Sequence, residues 1–189
     1  MSADELNLGI ASILRDAAQG RLLPPVARWN PTLCGAVDIR IARDGTWFHE
    51  GEPIRRHAMV RLFSTILRRE NDEFYLVTPA EKLRIEVEDA PFVAVLMRAK
   101  GDVSSQTLVF TTNVGDECMA GSDHPIRMGE CPFHGTPIPY ILIRQGLEAR
   151  IARSVFYELV DMAHPAPGGD DSVIGVRSGG VFFPLGSVT

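Results

Sequence analysis

The sequence predicts an α+β fold: a leading helix followed by two related, strand-rich units. Three observations carry that prediction. Apolar residues near the start recur with helical spacing, most of the remaining chain alternates with a period of two, and one helix–strand–proline pattern occurs twice. At 189 residues the chain suits one large domain or two small ones, and should bury roughly 70% of its surface on folding.

Composition narrows the functional class. Apolar residues make up 45% and charged residues 23%, which excludes disorder, collagen and coiled coil. The net charge is −5, from 24 acidic and 19 basic residues, and this argues against a broad nucleic-acid-binding face. Of the basic residues 17 are arginine, and only Lys82 and Lys100 are lysine. The start, Met1-Ser-Ala-Asp-Glu-Leu, is acidic where a secretory signal needs positive charge. The longest apolar run, Phe92 to Met97, is far short of the ~20 residues that span a bilayer. Cys34, Cys118 and Cys131 are an odd number in a mid-sized domain, so no disulfide framework is expected. The expectation is a cytoplasmic protein without a membrane span.

The elements follow in order. Ser2 and Glu5 form a capping box ahead of Leu6, Ile10, Ile13, Leu14 and Ala17, and Gly20 closes this helix. Leu22-Leu-Pro-Pro-Val is an extended linker, since neither proline continues a helix. Val37, Ile39 and Ile41 then alternate with polar residues up to Asp44-Gly45, a hairpin signal, before Thr46-Trp47-Phe48. Gly51-Glu-Pro-Ile makes a second turn. Val60, Phe63, Ile66 and Leu67 mark a helix of about 13 residues, followed by a strand at Phe74–Thr78.

Further on, Leu83, Ile85 and Val87 alternate with Arg84, Glu86 and Glu88, the pattern of a half-buried strand. Phe92–Met97 reads as a buried strand, Thr107–Thr111 as the next, and residues 113–139 as one long loop. Tyr140–Arg144 is a strand. A helix carrying Ile151, Val155, Phe156 and Leu159 follows Gly146, and a hairpin around Ser178-Gly179-Gly180 closes the chain. The repeat rests on the likeness of Val60–Leu67 to Arg153–Val160, each leading to an aromatic strand that meets a proline. The expected organisation is therefore a helix over 1–21, a first unit over 22–80 and a second over 81–189.

Few residues signal chemistry by themselves. Cys118, His124, Cys131 and His134 are four potential metal ligands, and Cys131-Pro-Phe-His134 has a spacing that lets both reach one tetrahedral ion. The five-residue gap between Cys118 and His124 is not a usual knuckle, and an ordinary loop explains the set better; no metal or cofactor is expected. Arg177-Ser-Gly-Gly180 reads as a tight turn before a phosphate nest, because no Walker lysine or GxGxxG accompanies it. Arg55, Arg56, Arg61, Arg68 and Arg69 gather around one helix, mostly as a solvated face. Arg56 differs, since it stands at a helix start, where backbone amides also favour an anion. Asp44 serves its turn, and Trp29 and Trp47 suit core packing unless a planar ligand stacks on one. His124, next to Asp123, could bind a ligand or hydrogen-bond locally.

Several pieces together resemble a known family. They are Trp29-Asn-Pro31, Cys34-Gly35, Asp38-Ile39-x-Ile41, Asp44-Gly45-x-Trp47, Gly51-x-Pro53-Ile54-x-Arg56 and Val60-x-Leu62-Phe63. The second half adds Thr112-Asn-Val-Gly-Asp116, Asp123-His-Pro125, the strand ending in Arg144, Val155-Phe-Tyr-Glu-Leu159 and Ser178-Gly-Gly-Val-Phe-Phe-Pro184. The set is similar to the proteobacterial domain-of-unknown-function family numbered twelve-eighty-five, from about Trp29 to Leu185. The resemblance implies an internal duplication whose second part is similar to a pleckstrin-homology-like antiparallel sheet closed by a helix. It also implies a site for a nucleotide-like molecule where the two parts meet and a role in signal transduction, and it attaches no catalytic residue.

The leading expectation is thus a non-enzymatic protein that binds a small anionic or nucleotide-like ligand. Arg56, Asn113, His124 and Arg144 would offer positive or hydrogen-bonding groups, and Trp47 and Tyr75 stacking surface. Arg56 and Arg144 are expected at matching ends of the repeat, where both could face one anion. Two alternatives stand beside it. One is an enzyme using Asp123 and His124, or a metal at Cys118, Cys131 and His134; the other is a module that docks a protein partner.

Overall fold

A computed structural model of the chain describes residues 23–102, 105–130, 135–168 and 172–187. The expected leading helix over 1–21 lies outside these residues. The chain divides into two compact units, Met1–Glu88 and Asp89–Thr189. The architecture is α+β and strand-rich, with a six-stranded sheet in each unit, a small third sheet, and two α-helices among the described residues. No helix among them is long and apolar enough to cross a membrane.

The first unit opens with a short 3-10 turn, Val26–Arg28. It continues through β1 (Leu33–Ile41), β2 (Trp47–His49), β3 (Glu52–Pro53), α1 (His57–Thr65), β4 (Leu67–Glu70), β5 (Glu73–Val77) and β6 (Lys82–Val87). The strand order is β3-β2-β1-β6-β5-β4. Every pair is antiparallel except β1 with β6 at the centre, which is parallel. Alternation does what the sequence predicts: Ile39, Ile41 and Ile85 are buried while Asp38, Arg84 and Glu86 face outward.

The turns divide their chemistry differently from the expectation. At Asp44-Gly45 only Gly45 takes a positive φ, of 85°. The Gly45 amide donates to the Ala42 carbonyl, and the Asp44 carboxylate accepts the Thr46 amide at 2.9 Å. In the next turn, Glu50-Gly51, both φ values are positive, at 51° and 80°, and His49 pairs directly with Glu52.

Two boundaries need correction. The helix expected to run for about 13 residues stops at Thr65, and Leu67–Glu70 is a strand against β5. Asn71, with φ of 55°, makes the tight turn that lets Leu67 meet Leu76, so a cross-strand partner overrides the helical spacing. The first unit also extends past residue 80 to Glu88, because β6 is hydrogen-bonded between β1 and β5.

The second unit contains β7 (Phe92–Lys100), β8 (Thr107–Thr112), β9 (Glu117–Met119), β10 (Ile126–Glu130), β11 (Pro137–Arg144) and β12 (Leu147–Ile151). After α2 (Arg153–Asp161) come β13 (His164–Pro165), β14 (Val173–Ser178) and β15 (Val181–Ser187), which form the third sheet. The large sheet runs β10-β11-β12-β7-β8-β9, antiparallel except for the central parallel pair β12 and β7. Residues 113–139, expected as a loop, hold β9, β10 and the start of β11. Their short strands are interrupted by Gly and Pro and so lack a long alternating run. Ile151 ends a strand, β12, before the helix begins.

The duplication is a duplication of sheets. Numbered within each unit, both sheets read 3-2-1-6-5-4 with strands 1 and 6 parallel. The helices are not counterparts: α1 lies between strands 3 and 4 of its unit, whereas α2 follows strand 6 of the other. The likeness of Val60–Leu67 to Arg153–Val160 therefore reflects the shared period of amphipathic helices.

Candidate functional site

The arginine excess resolves into two populations. Arginines on or beside the strands are mostly neutralised: Arg40 by Glu88, Arg68 by Glu70, Arg69 by Asp72, Arg84 by Glu73, Arg98 by Glu117, Arg127 by Glu148 and Arg150 by Asp89. Arg28, Arg55, Arg56, Arg61, Arg153 and Arg177 are exposed and have no carboxylate partner among the described residues, and Arg55, Arg56 and Arg61 fall on or just before α1.

Local structure explains how Arg56 comes to stand at the helix start. Ile54, whose amide donates to the Trp47 carbonyl at 2.8 Å, fixes the approach to α1. Arg56 is the N-cap residue, in an extended conformation at φ −80° and ψ 97°, and no side chain caps the helix. Its carbonyl accepts the amides of Met59 and Val60. The first turn of α1 contains no acidic residue, so the positive end of the helix dipole and the Arg56 guanidinium add there.

The other expected site residues are placed differently. Trp47 is 1% exposed and packs inside, its ring stacked on Phe63 at 6.2 Å; burial leaves no face for a ligand. Tyr75 is also buried, packed with Val26, Val77 and Trp29. Its hydroxyl donates to Glu73, and the Lys82 ammonium stands 4.8 Å from its ring centroid. The hydrogen bond to Glu73 raises the phenol pKa. Neither aromatic ring offers open stacking surface.

Asn113 completes a ladder. Its amide donates to the Val93 carbonyl at 2.8 Å, and its side-chain oxygen accepts the Val93 amide at 3.0 Å. Arg144 pairs with Asp116, lies 4.9 Å from the Phe92 ring centroid, and is 15% exposed. His124 sits at the same end of the sheet, where its Nδ1 meets the Leu142 carbonyl at 3.0 Å. Since a carbonyl only accepts, that nitrogen carries the hydrogen. Asn113, His124 and Arg144 thus cluster at one end of the second sheet, each with a protein partner.

The expected pairing of Arg56 with Arg144 at matching ends is corrected by strand direction. β3, just before Arg56, runs parallel to strand 1 of its unit, whereas β11, which ends in Arg144, runs antiparallel to strand 1 of its own. In the shared frame they mark opposite ends.

The alternative chemistries find little. Asp123 is exposed and His124 turns to Leu142 instead. Cys118 is buried, and burial first, then Asp116, pushes its thiol pKa up to about 11; a protonated thiol is a poor nucleophile and metal ligand. Cys131 and His134 lie outside the described residues. Among those described, no group of three or more His, Cys, Asp or Glu is placed to hold a metal.

The Ser178-Gly-Gly turn is structural, and its role is the one that sequence reasoning missed. The buried Ser178 hydroxyl donates to the Ala120 carbonyl at 2.7 Å and accepts the Leu108 amide at 2.8 Å. Gly179 donates its amide to Gln106 at 3.0 Å with a φ of 56°. A Cβ there would sit 3.1 Å from the Ala120 oxygen, so glycine permits this approach. Only the serine between a strand and two glycines could have signalled it.

Comparisons with known proteins agree with this two-unit organisation. Residues 24–90 match the family described as "Domain of unknown function (DUF1285), N-terminal domain", and residues 91–185 match its C-terminal counterpart. A crystal structure of a DUF1285 family protein from Silicibacter pomeroyi DSS-3 is 51% identical, with a TM-score of 0.84, covering 93% of this chain and 95% of that one. A second, from Shewanella baltica OS155, is 27% identical with a TM-score of 0.52, covering 65% of this chain and 90% of that one. No curated protein matches. With both halves matched and a homologue sharing half its residues over nearly its whole length, the chain belongs to the DUF1285 family.

Proposed function

We propose that this protein binds a small anionic ligand, of nucleotide-like charge and size, at the start of α1 and acts as a sensor or accessory in signal transduction rather than as a catalyst. One observation carries the reading: Arg55, Arg56 and Arg61 lack carboxylate partners among the described residues, in a chain of net charge −5 whose strand arginines are mostly paired. Arg55 and Arg56 just before the helix and Arg61 within it carry charge that no carboxylate offsets, and phosphate or carboxylate oxygens match guanidinium donor geometry.

Thermal-shift measurements with a nucleoside diphosphate, pyrophosphate and citrate test it. Ligand at a hundredfold excess over its dissociation constant should stabilise the fold by about 2.7 kcal/mol. Arg56→Glu and Arg61→Glu should abolish the shift, and rising salt should weaken it. No shift with any of the three anions, or a shift that survives both substitutions, overturns the assignment.

A further inference from the structure

The outer face of β7, β8 and β9 carries a compact pattern outside the arginine cluster. Leu96, Thr111 and Glu117 lie side by side in one row across the three strands, and Arg98, Val109 and Met119 in the next. Leu108 and Phe110, on the opposite face of β8, are fully buried; on this face Val109, at the centre, is also buried, while the four corners Leu96, Arg98, Glu117 and Met119 are open. Leu96 is 62% exposed and Met119 59%. The bulge in register between Ala94 and Leu96 also leaves Val95 exposed. Between the two apolar corners, Arg98 pairs with Glu117 at 2.6 Å, with both side chains more than half exposed, at 56% and 53%.

We propose that this face is the interface of a homodimer. The occupant follows from symmetry of charge. Apolar residues hold one diagonal of the grid, Leu96 and Met119, and opposite charges hold the other, Arg98 and Glu117. A half-turn about the Leu96–Met119 diagonal sets each apolar corner on its own copy and brings each Arg98 onto the Glu117 of the second copy. A two-fold interface must be self-complementary in this way. A lipid surface, or a partner of one charge, has no use for a balanced pair at the centre of the patch. Arg98 and Glu117 then exchange an exposed intramolecular pair for a less hydrated intermolecular one, which fixes orientation.

Sedimentation velocity of the full chain over a range of concentrations tests the proposal. The wild-type protein should shift from monomer to dimer as concentration rises, and Leu96→Asp should remain monomeric. Arg98→Glu alone and Glu117→Arg alone should each weaken the dimer by about tenfold or more, and the double exchange R98E/E117R should restore it. All four side chains are exposed, so circular dichroism should show every variant folded, and the double exchange supplies an internal control. A wild-type monomer up to millimolar concentration overturns the inference. So does a dimer indifferent to Leu96→Asp, or a double exchange that fails to recover association.

Discussion

In the first unit the chain leaves β3 and reaches β4 through α1, a nine-residue helix that places Phe63 over Trp47. In the second unit the same step, from β9 to β10, is a short loop at residues 120–125. Cover is supplied instead from the C-terminus: α2 packs on β7, β15 lies against β10, and Ser178 bridges Leu108 to Ala120 beside β9. Two sheets with one strand order therefore protect their apolar faces and edges by different means. The sheet is what was duplicated; its cover was not. This explains why the helices mislead a search for the repeat.

Four experiments break or sharpen that comparison. The largest effect belongs to the packing of α1 on its sheet. Trp47→Ala should cost about 4 kcal/mol in urea denaturation, by loss of contacts and the cavity left behind. Trp47→Phe should cost much less, because the buried indole N–H has no acceptor among the described residues to lose. Equal losses would mean that the ring does not hold α1.

Next comes the hydroxyl clamp of the second unit. Ser178→Ala orphans the Leu108 amide and the Ala120 carbonyl, a loss of about 2–4 kcal/mol. Hydrogen exchange at the Leu108 amide should accelerate; unchanged protection would show that β14 does not secure this edge.

Alkaline pH probes the core of the second unit. In the second, burial pushes the Cys118 thiol up to about 11 and, with the hydrogen bond to Asp89, the Tyr140 phenol up to about 12. Both groups stay protonated in the folded state at a pH where the unfolded chain has lost those protons. Folded protein then binds more protons, so stability falls as pH rises. For Cys118 the window opens near its ordinary value of 9.0 and closes at about 11, with a loss of about 2–3 kcal/mol. With Cys34 and Cys131 replaced by serine, thiolate absorbance of the folded protein should rise only near the upper end. A thiol that titrates at its ordinary value would remove Cys118 from the core.

The smallest effect is predicted for an exposed pair. Arg84→Ala removes the 3.0 Å bridge to Glu73, in which both side chains are about half exposed, and should change stability by less than about 1 kcal/mol. A larger loss would show that the charges around Tyr75 act as one network.

The sequence was legible where the determinant is local. Alternation at Val37–Ile41 and Leu83–Val87, the Asp44-Gly45 turn, the closing hairpin and the family pattern all depend on residues close together in the chain, and each is present in the structure. The cationic start of α1 was legible for the same reason, since Gly51-x-Pro53 and the following arginines are contiguous. Misreadings fall where the partner is distant. Leu67 looks helical until β5 pairs with it, and β10 is invisible until β11 lies beside it. Trp47 and Tyr75 look like ligand platforms until the fold buries them.

By itself, then, the sequence determined the strand-rich α+β class and the family, because period, turn chemistry and motif are written in short stretches. Only the tertiary structure decided which charges remain open. Arg144 meets Asp116 across 28 positions and Arg40 meets Glu88 across 48. No local pattern encodes that pairing, since strand order and direction bring such residues together, and the same order places Arg56 and Arg144 at opposite ends of their sheets.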